Sequence, residues 1–154
     1  MKTAYILVGV PGSGKSTWVT NQKWAQECSY ISTDQWVDLE AERTGKTYSE
    51  VFADYMPRAI NLMIRKLDLA KDADMNIIWD QTSTTIASRK KKLKFLQGYH
   101  TVVVVFKIPE AEELKRRLNS RPGKHIPDDV MKSMIKGFEM PTEEEGFDEI
   151  WHAE

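Results

Sequence analysis

Gly9-Val10-Pro11-Gly12-Ser13-Gly14-Lys15-Ser16-Thr17 matches, position by position, the phosphate-wrapping pattern G-x-x-x-x-G-K-[ST]. A triphosphate tail is a dense anion, and a loop closes around it only where side chains stay out of the way. Gly9, Gly12 and Gly14 let successive backbone N–H groups turn inward as an anion nest, with Pro11 and Ser13 completing the loop. A helix beginning near Lys15 adds the positive end of its dipole. Lys15 is expected to reach the β- and γ-phosphates of ATP and the Ser16 hydroxyl to ligate Mg²⁺, with Thr17 the lesser candidate.

The flanking residues favour this reading over an accidental glycine-rich turn. Ala4-Tyr5-Ile6-Leu7-Val8 is an apolar run of strand length entering the loop, and Ser16 to Gln26 reads as a helix leaving it. Further along, Tyr30-Ile31-Ser32-Thr33 is a short strand candidate ending at Asp34, followed by a helix over Gln35 to Arg43 closed by Gly45. Thr47-Tyr48-Ser49-Glu50 is a capping box that starts a long helix. Its Val51, Tyr55, Ile60, Met63, Ile64 and Leu67 recur at three- and four-residue steps, and Pro57 is expected to kink or divide it.

Asn76-Ile77-Ile78-Trp79-Asp80 is a third strand with an acid at its carboxyl end, and a helix from Ser83 or Thr85 to Gln97 is stopped by Gly98. Thr101 to Phe106 is a continuous β-branched run suited to a sheet covered on both faces. Glu110 to Asn119 is a helix with acids first and bases last, 120–126 is a Pro-Gly loop, Pro127-Asp128-Asp129 opens a helix to Met140, and Phe147 to Trp151 adds a final strand. Strands alternating with helices predict an α/β fold, three layers around a parallel sheet of four to five strands with right-handed crossovers.

The chain of 154 residues fits a single domain, 1–154. Its 41% hydrophobic and 29% charged content is ordinary for a soluble globular protein, and no apolar run approaches a membrane span, so cytosolic residence is expected. Cys28 is the only cysteine, which excludes an internal disulfide and a thiolate metal cluster; His100, His125 and His152 have no metal-ligand spacing. The net charge of −1 conceals a segregation: residues 87–124 hold eleven Lys and Arg against three Glu, whereas 126–154 hold two Lys against nine acids. One basic surface is compatible with that pattern.

The whole set resembles the phage-type polynucleotide kinases among the P-loop kinases. The resemblance spans nearly the whole chain. It rests on the phosphate loop through Trp18, Asp34 after strand two, Asp80-Gln81-Thr82 after strand three, Arg117-x-x-x-Arg121 before Pro127, and Phe138-Glu139-x-Pro141-Thr142 with Glu145-Gly146-Phe147. It implies a P-loop kinase-like fold with a small helical lid, and Mg²⁺-dependent transfer of the ATP γ-phosphate to a hydroxyl of a nucleic acid, DNA or RNA, in the cytoplasm of a host cell. By the same resemblance Asp34 is the general base and Arg121, more than Arg117, the lid's phosphate clamp.

Each assignment has a plainer reading. Asp34 and Asp80 could be helix N-caps; Asp80 otherwise holds Mg²⁺ or contacts the acceptor. Arg117 and Arg121, one turn apart, could be simple helix-dipole partners. The chain also departs from the family, which carries an arginine three residues after the base to hold the acceptor's phosphate; here that position is Val37. Arg43, Arg58 or the Arg89-Lys90-Lys91-Lys92 run could substitute, although such a run is usually a solvated helix face. The loss leaves room for another hydroxyl, and the sequence is also similar to phage kinases of 5-hydroxymethyluracil bases in DNA. Trp36 would then be a stacking surface for an extruded base, against core packing as the alternative. Small-molecule kinases and a regulatory ATPase come third.

Overall fold

Alternating apolar strands and helices bury both faces of a sheet when the strands run parallel and each crossover lays a helix on one face or the other. The computed structural model, which describes residues 1–153, has this architecture. Strands β1 (Thr3–Val8), β2 (Ser29–Ile31), β3 (Ile77–Asp80), β4 (His100–Phe106) and β5 (Glu149–Ala153) form one sheet in the order β2-β3-β1-β4-β5. Every pairing is parallel. Helices α1 (Lys15–Asn21), α2 (Asp34–Thr44), α3 (Tyr48–Asp72), α4 (Ile86–Phe95), α5 (Ala111–Asn119) and α6 (Asp128–Lys136) cover the sheet, with 3₁₀ turns at Lys23–Glu27 and Glu143–Glu145.

The period of two along β1 sorts its side chains between two cores. Ala4, Ile6 and Val8 join Met63, Leu67, Trp79 and Leu96 on one face. Leu7 joins Ile78, Val104 and Phe106 on the other, where Tyr5, Trp18 and Trp24 close the layer. No helix among the described residues is long and apolar enough to cross a membrane.

The structure revises several sequence expectations. The helix after the phosphate loop does not run to Gln26: Gln22 is extended and separates α1 from a 3₁₀ turn. Trp18 and Trp24 lie about 240° apart around a continuous helix, so one would face solvent. The break lets them meet each other at 5.9 Å, with Trp18 on Phe106 and Trp24 on Tyr5.

Helix α3 continues past Pro57 without division. Both Pro57 and Ala53, whose carbonyl loses its donor, are exposed, so water satisfies the freed group. On the same helix Ile60 points outward and Ala59 takes the buried position. Helix α6 stops at Lys136 rather than Met140, because the chain leaves at Gly137 and Glu139 donates its amide to Thr84 O at 2.8 Å. Strand β5 begins two residues later than Phe147, whose ring instead enters the core.

Candidate active site

In parallel α/β sheets the carboxyl ends of the strands form the binding edge. Three groups singled out in the sequence leave from that edge: the phosphate loop after β1, Asp34 beyond the end of β2, and Asp80 as the last residue of β3.

The loop's shape follows from its glycines. A Cβ on Gly9 would sit 2.4 Å from Ser13 Oγ and 3.0 Å from Phe106 Cβ, and Gly14 has φ +98°, a left-handed conformation that side chains resist. The Gly9 amide donates to Thr82 O at 2.9 Å, tying the loop to the turn after β3. Among the described residues the amides of Gly12, Gly14, Lys15, Ser16 and Thr17 have no acceptor, which is the donor set a polyphosphate requires. Lys15 Nζ donates to Gly9 O at 2.8 Å and Val10 O at 3.2 Å, across the loop it closes. Burial pushes its ammonium down to about 8, against the opposite pull of Asp80. Ser16 and Thr17 are exposed at the start of α1. The residues therefore fit a nucleoside triphosphate, and Ser16 with Asp80 fits Mg²⁺, a cation that keeps several waters and needs few protein ligands.

The two acids are not helix caps. Thr33 is the N-cap of α2 and Thr85 that of α4, so Asp34 and Asp80 are free for other roles. Asp34 Oδ1 accepts from the Tyr48 hydroxyl at 2.5 Å and Oδ2 from Lys124 Nζ at 3.0 Å. Burial acts to raise the Asp34 carboxyl, yet Lys124, the Tyr48 hydroxyl and Lys15 outweigh it and hold the group below the usual carboxylate range. Asp80 Oδ2 accepts from the Tyr30 hydroxyl, and burial raises its carboxyl despite that bond and the nearby Lys15. Burial and the facing carboxylates push both phenols well above their ordinary value. Lys15 feels the charges of Asp80, Arg121, Asp34 and Lys124 together, so four oppositely poised groups share one cleft.

The segment from α5 to α6 lies over this edge. Arg117 lies against the phosphate loop: Nη1 donates to Gly12 O at 3.0 Å and Nε to Glu113 at 2.9 Å, so it braces the loop. Arg121 stands near enough to Lys15 to lower its proton affinity. The loop after it rests on the start of α3, with Ser49 N donating to Gly123 O at 3.0 Å and His125 N to Ser49 Oγ at 2.7 Å.

Trp36 is partly buried against both the main core and the α2–α3 cluster, so part of its indole packs the interior. Val37 is fully buried with Ala41, Val51 and Ala59, on the face of α2 that meets α3. Two of the proposed substitutes for the absent arginine are already engaged. Arg43 makes a two-pronged bond to Glu40, and Arg89 is buried on Glu145. The Arg89–Lys92 run is thus not one solvated face: Arg89 and Lys92 turn inward while Lys90 and Lys91 remain outside.

Sequence reasoning missed Tyr30, Tyr48 and Lys124. Tyr48 follows a capping threonine and Lys124 a Pro-Gly turn, and each reads locally as punctuation. Their partners lie fourteen to ninety residues away in the chain, a distance no local pattern reports.

A bifunctional polynucleotide phosphatase/kinase of Schizosaccharomyces pombe is 29% identical over 150 residues, which is 94% of this chain and 32% of that protein. The chain thus spans about a third of the length of that relative. A crystal structure from Chloroflexus aurantiacus, assigned as a kinase, superposes with a TM-score of 0.75 at 15% identity, covering 99% of this chain and 84% of the other. An unliganded sugar kinase from Janibacter sp. HTCC2649 superposes with a TM-score of 0.62 at 17% identity over 99% of this chain and 86% of its own. At such identities the two structures establish a shared fold. The AAA domain family AAA_33 matches residues 5–141, and with its kinase-like P-loop fold this chain belongs to that family.

Proposed function

We propose that the chain is an ATP- and Mg²⁺-dependent kinase that transfers the γ-phosphoryl group to a hydroxyl of a polynucleotide, preferably at a 5′ end. The observation that carries this reading is the position of Asp34: an ionised carboxylate at the carboxyl edge of the sheet, in the same electrostatic field as Lys15 and Asp80. The similarity to a polynucleotide phosphatase/kinase, which extends over 94% of this chain, supports nucleic acid as the acceptor class.

ATP supplies the phosphoryl group and Mg²⁺ offsets the charge on its phosphate oxygens. The chain's own part is positioning. The free amides from Gly12 to Thr17 hold the phosphate tail, and Lys15 exchanges the carbonyls of Gly9 and Val10 for phosphate oxygens. Ser16 and Asp80 would hold the metal, directly or through water. Arg121 approaches from the lid as charge develops on the transferring group.

Asp34 orients the acceptor hydroxyl and takes its proton while the new O–P bond forms and the bridging P–O bond to ADP breaks. A carboxylate held below its usual pKa is a weak base, which suits a loose transition state in which the proton leaves late. Lys124 is the cation beside Asp34, and it takes the part that the family gives to an arginine at the position of Val37. Trp36 packs partly against two cores, which leaves less of its ring for an extruded base and favours the 5′-hydroxyl.

A radiolabelled-ATP assay comparing 5′-hydroxyl oligonucleotides, hydroxymethyluracil DNA, nucleosides and sugars tests the reading. Label should enter the 5′-hydroxyl oligonucleotide first. Asp34→Asn should lower kcat at least 100-fold with ATP affinity kept, since it removes the proton acceptor alone. Lys15→Ala should weaken both binding and transfer. Full turnover by Asp34→Asn, or transfer confined to small molecules, would defeat the proposal.

A further inference from the structure

Lys92 is 8% exposed, and among the described residues no hydrogen bond or ion pair reaches its ammonium. Its one favourable neighbour is an aromatic face, a cation–π contact that supplies no counter-charge. The Trp79 ring lies 5.4 Å away, and the charges nearest in its surroundings, Arg89 and Lys91, are both positive. The stem is buried and the ammonium keeps an edge open to solvent, where an arriving anion would add the charge partner it lacks.

The side chain does face a place where an anion could arrive. Lys92 lines a groove of about 360 Å³ between α3 and α4, within the size range of small-ligand sites. Met63 and Ile64 supply one wall, Phe95 and Lys91 the other, and Trp79 the base. The lining is mostly apolar with cations at one side, the composition that suits a nucleobase and its adjoining phosphodiester. At its end Gln81 accepts from Trp79 Nε1 at 3.1 Å and donates to Thr33 Oγ1 at 3.5 Å. Gln81 directly follows Asp80, so this end of the groove lies next to the strand end that carries that acid.

We infer that the α3–α4 groove binds one nucleotide unit of a single-stranded polynucleotide, its base against Met63, Ile64 and Phe95 and its phosphodiester on Lys92 and Lys91. This rests on the polynucleotide reading of the active site and adds where the strand runs after its terminal hydroxyl reaches Asp34. An acidic peptide would satisfy the ammonium but gives no reason for the groove to end beside a phosphoryl-transfer site.

The experiment is equilibrium binding of a short, 3′-labelled oligothymidylate to the full chain without ATP, by fluorescence anisotropy over a range of salt. Lys92→Met keeps the stem and removes the charge. It should weaken binding about tenfold, the effect of losing one charge-assisted contact, and flatten the slope of log K against log salt by about 0.7. Lys92→Arg should keep the slope. Phe95→Ala, at an exposed ring, should weaken binding and leave the slope alone, which keeps the inference testable if Lys92→Met misfolds.

Binding and slope unchanged in Lys92→Met, or no oligothymidylate binding by the unsubstituted chain, would overturn the groove assignment. So would polyglutamate competing as well as unlabelled oligothymidylate. Kinase assays separate this from the reading beneath it. Lys92-dependent binding without polynucleotide phosphorylation retains the groove and defeats the reaction, whereas phosphorylation with Lys92-independent binding does the reverse.

Discussion

Arg89 and Lys92 lie three residues apart on one helix, both are buried, and they have opposite surroundings. Arg89 is fully enclosed with Nε and Nη2 on Glu145 at 2.8 and 3.1 Å, Nη1 on Ser83 O at 2.9 Å and Nη2 on Glu139 O at 2.8 Å. Lys92 has an aromatic ring and two like charges. A guanidinium with a rigid fork can replace its lost hydration on several sides, whereas the Lys92 ammonium has one cation–π face and an edge left to solvent. The difference separates a charge that holds the structure together from one held ready for something outside it. Arg89 joins the turn after β3 to the segment that returns from α6 to β5, which anchors the base of the lid to the active-site edge.

The largest effect should come from breaking the paired cation. Arg89→Met leaves the Glu145 carboxylate and two carbonyls without their donor, which should cost about 3–5 kcal/mol. At roughly 2–4 °C per kcal/mol for a chain of this size, the thermal midpoint should fall by about 10 °C or more. Arg89→Met with Glu145→Leu should recover most of it, because two apolar side chains leave no stranded charge. A single substitution costing less than about 1 kcal/mol in urea denaturation would erase the contrast with Lys92.

The unpaired cation should reveal itself by pH. Burial first, then Arg89 and Lys91, lower the Lys92 ammonium to about 8 from an ordinary 10.5. Between those values the unfolded chain binds the proton and the folded chain does not, so stability rises with pH from about 8 toward 10. One such lysine contributes on the order of 2 kcal/mol over that window, and Lys15, lowered to about 8 by burial, contributes a similar slope. Lys92→Met should therefore be more stable near pH 7 and keep about half of the rise. Above about pH 10 the raised phenols of Tyr30 and Tyr48 reverse the trend, since there the folded chain holds protons that the unfolded chain releases. Denaturant midpoints measured across the window check the slope, and an unchanged slope in Lys92→Met would place the charge in solvent.

Much of this was legible in the sequence wherever a local rule governs. The phosphate loop, the β-branched run of β4 and the Thr47 capping box, observed with Glu50 answering in both directions, follow from spacing and backbone chemistry alone. Asp80 at the end of β3 was legible too, because strand ends and binding edges coincide in parallel sheets, whereas β2 stops at Ile31 and Asp34 opens α2. What the sequence hid was long-range. Four lysines and arginines in a row read as one face, yet helix geometry turns the first and fourth inward and leaves the middle pair outside. Glu139 and Glu145 stood out as a motif with no assigned task; the structure gives them one, since Glu139 reaches the Ile86 amide at 3.2 Å and Glu145 holds Arg89. Trp36 and Val37 illustrate the same limit, for their burial depends on how α2 lies against α3.

Lys124 and Asp34 are a third case, a cation paired at the cleft's mouth, with 53% of the Asp34 side chain exposed. Solvent screens such a pair, so Lys124→Met should change stability by no more than about 1 kcal/mol. Its effect belongs to the chemistry. Lys124 is the chief group opposing the burial that would raise the Asp34 carboxyl, so the variant's pKa should climb toward or past the ordinary carboxylate value. In the proposed reaction Asp34 works ionised, so activity should be lost as pH falls through its pKa. The acid limb of kcat/KM should therefore shift to higher pH in Lys124→Met, with the alkaline limb unmoved. If Lys124 also grips the acceptor, KM for the oligonucleotide rises while KM for ATP stays. An acid limb unmoved together with an unaltered acceptor KM would make the pair a surface contact, and the cation beside Asp34 would have to be sought elsewhere.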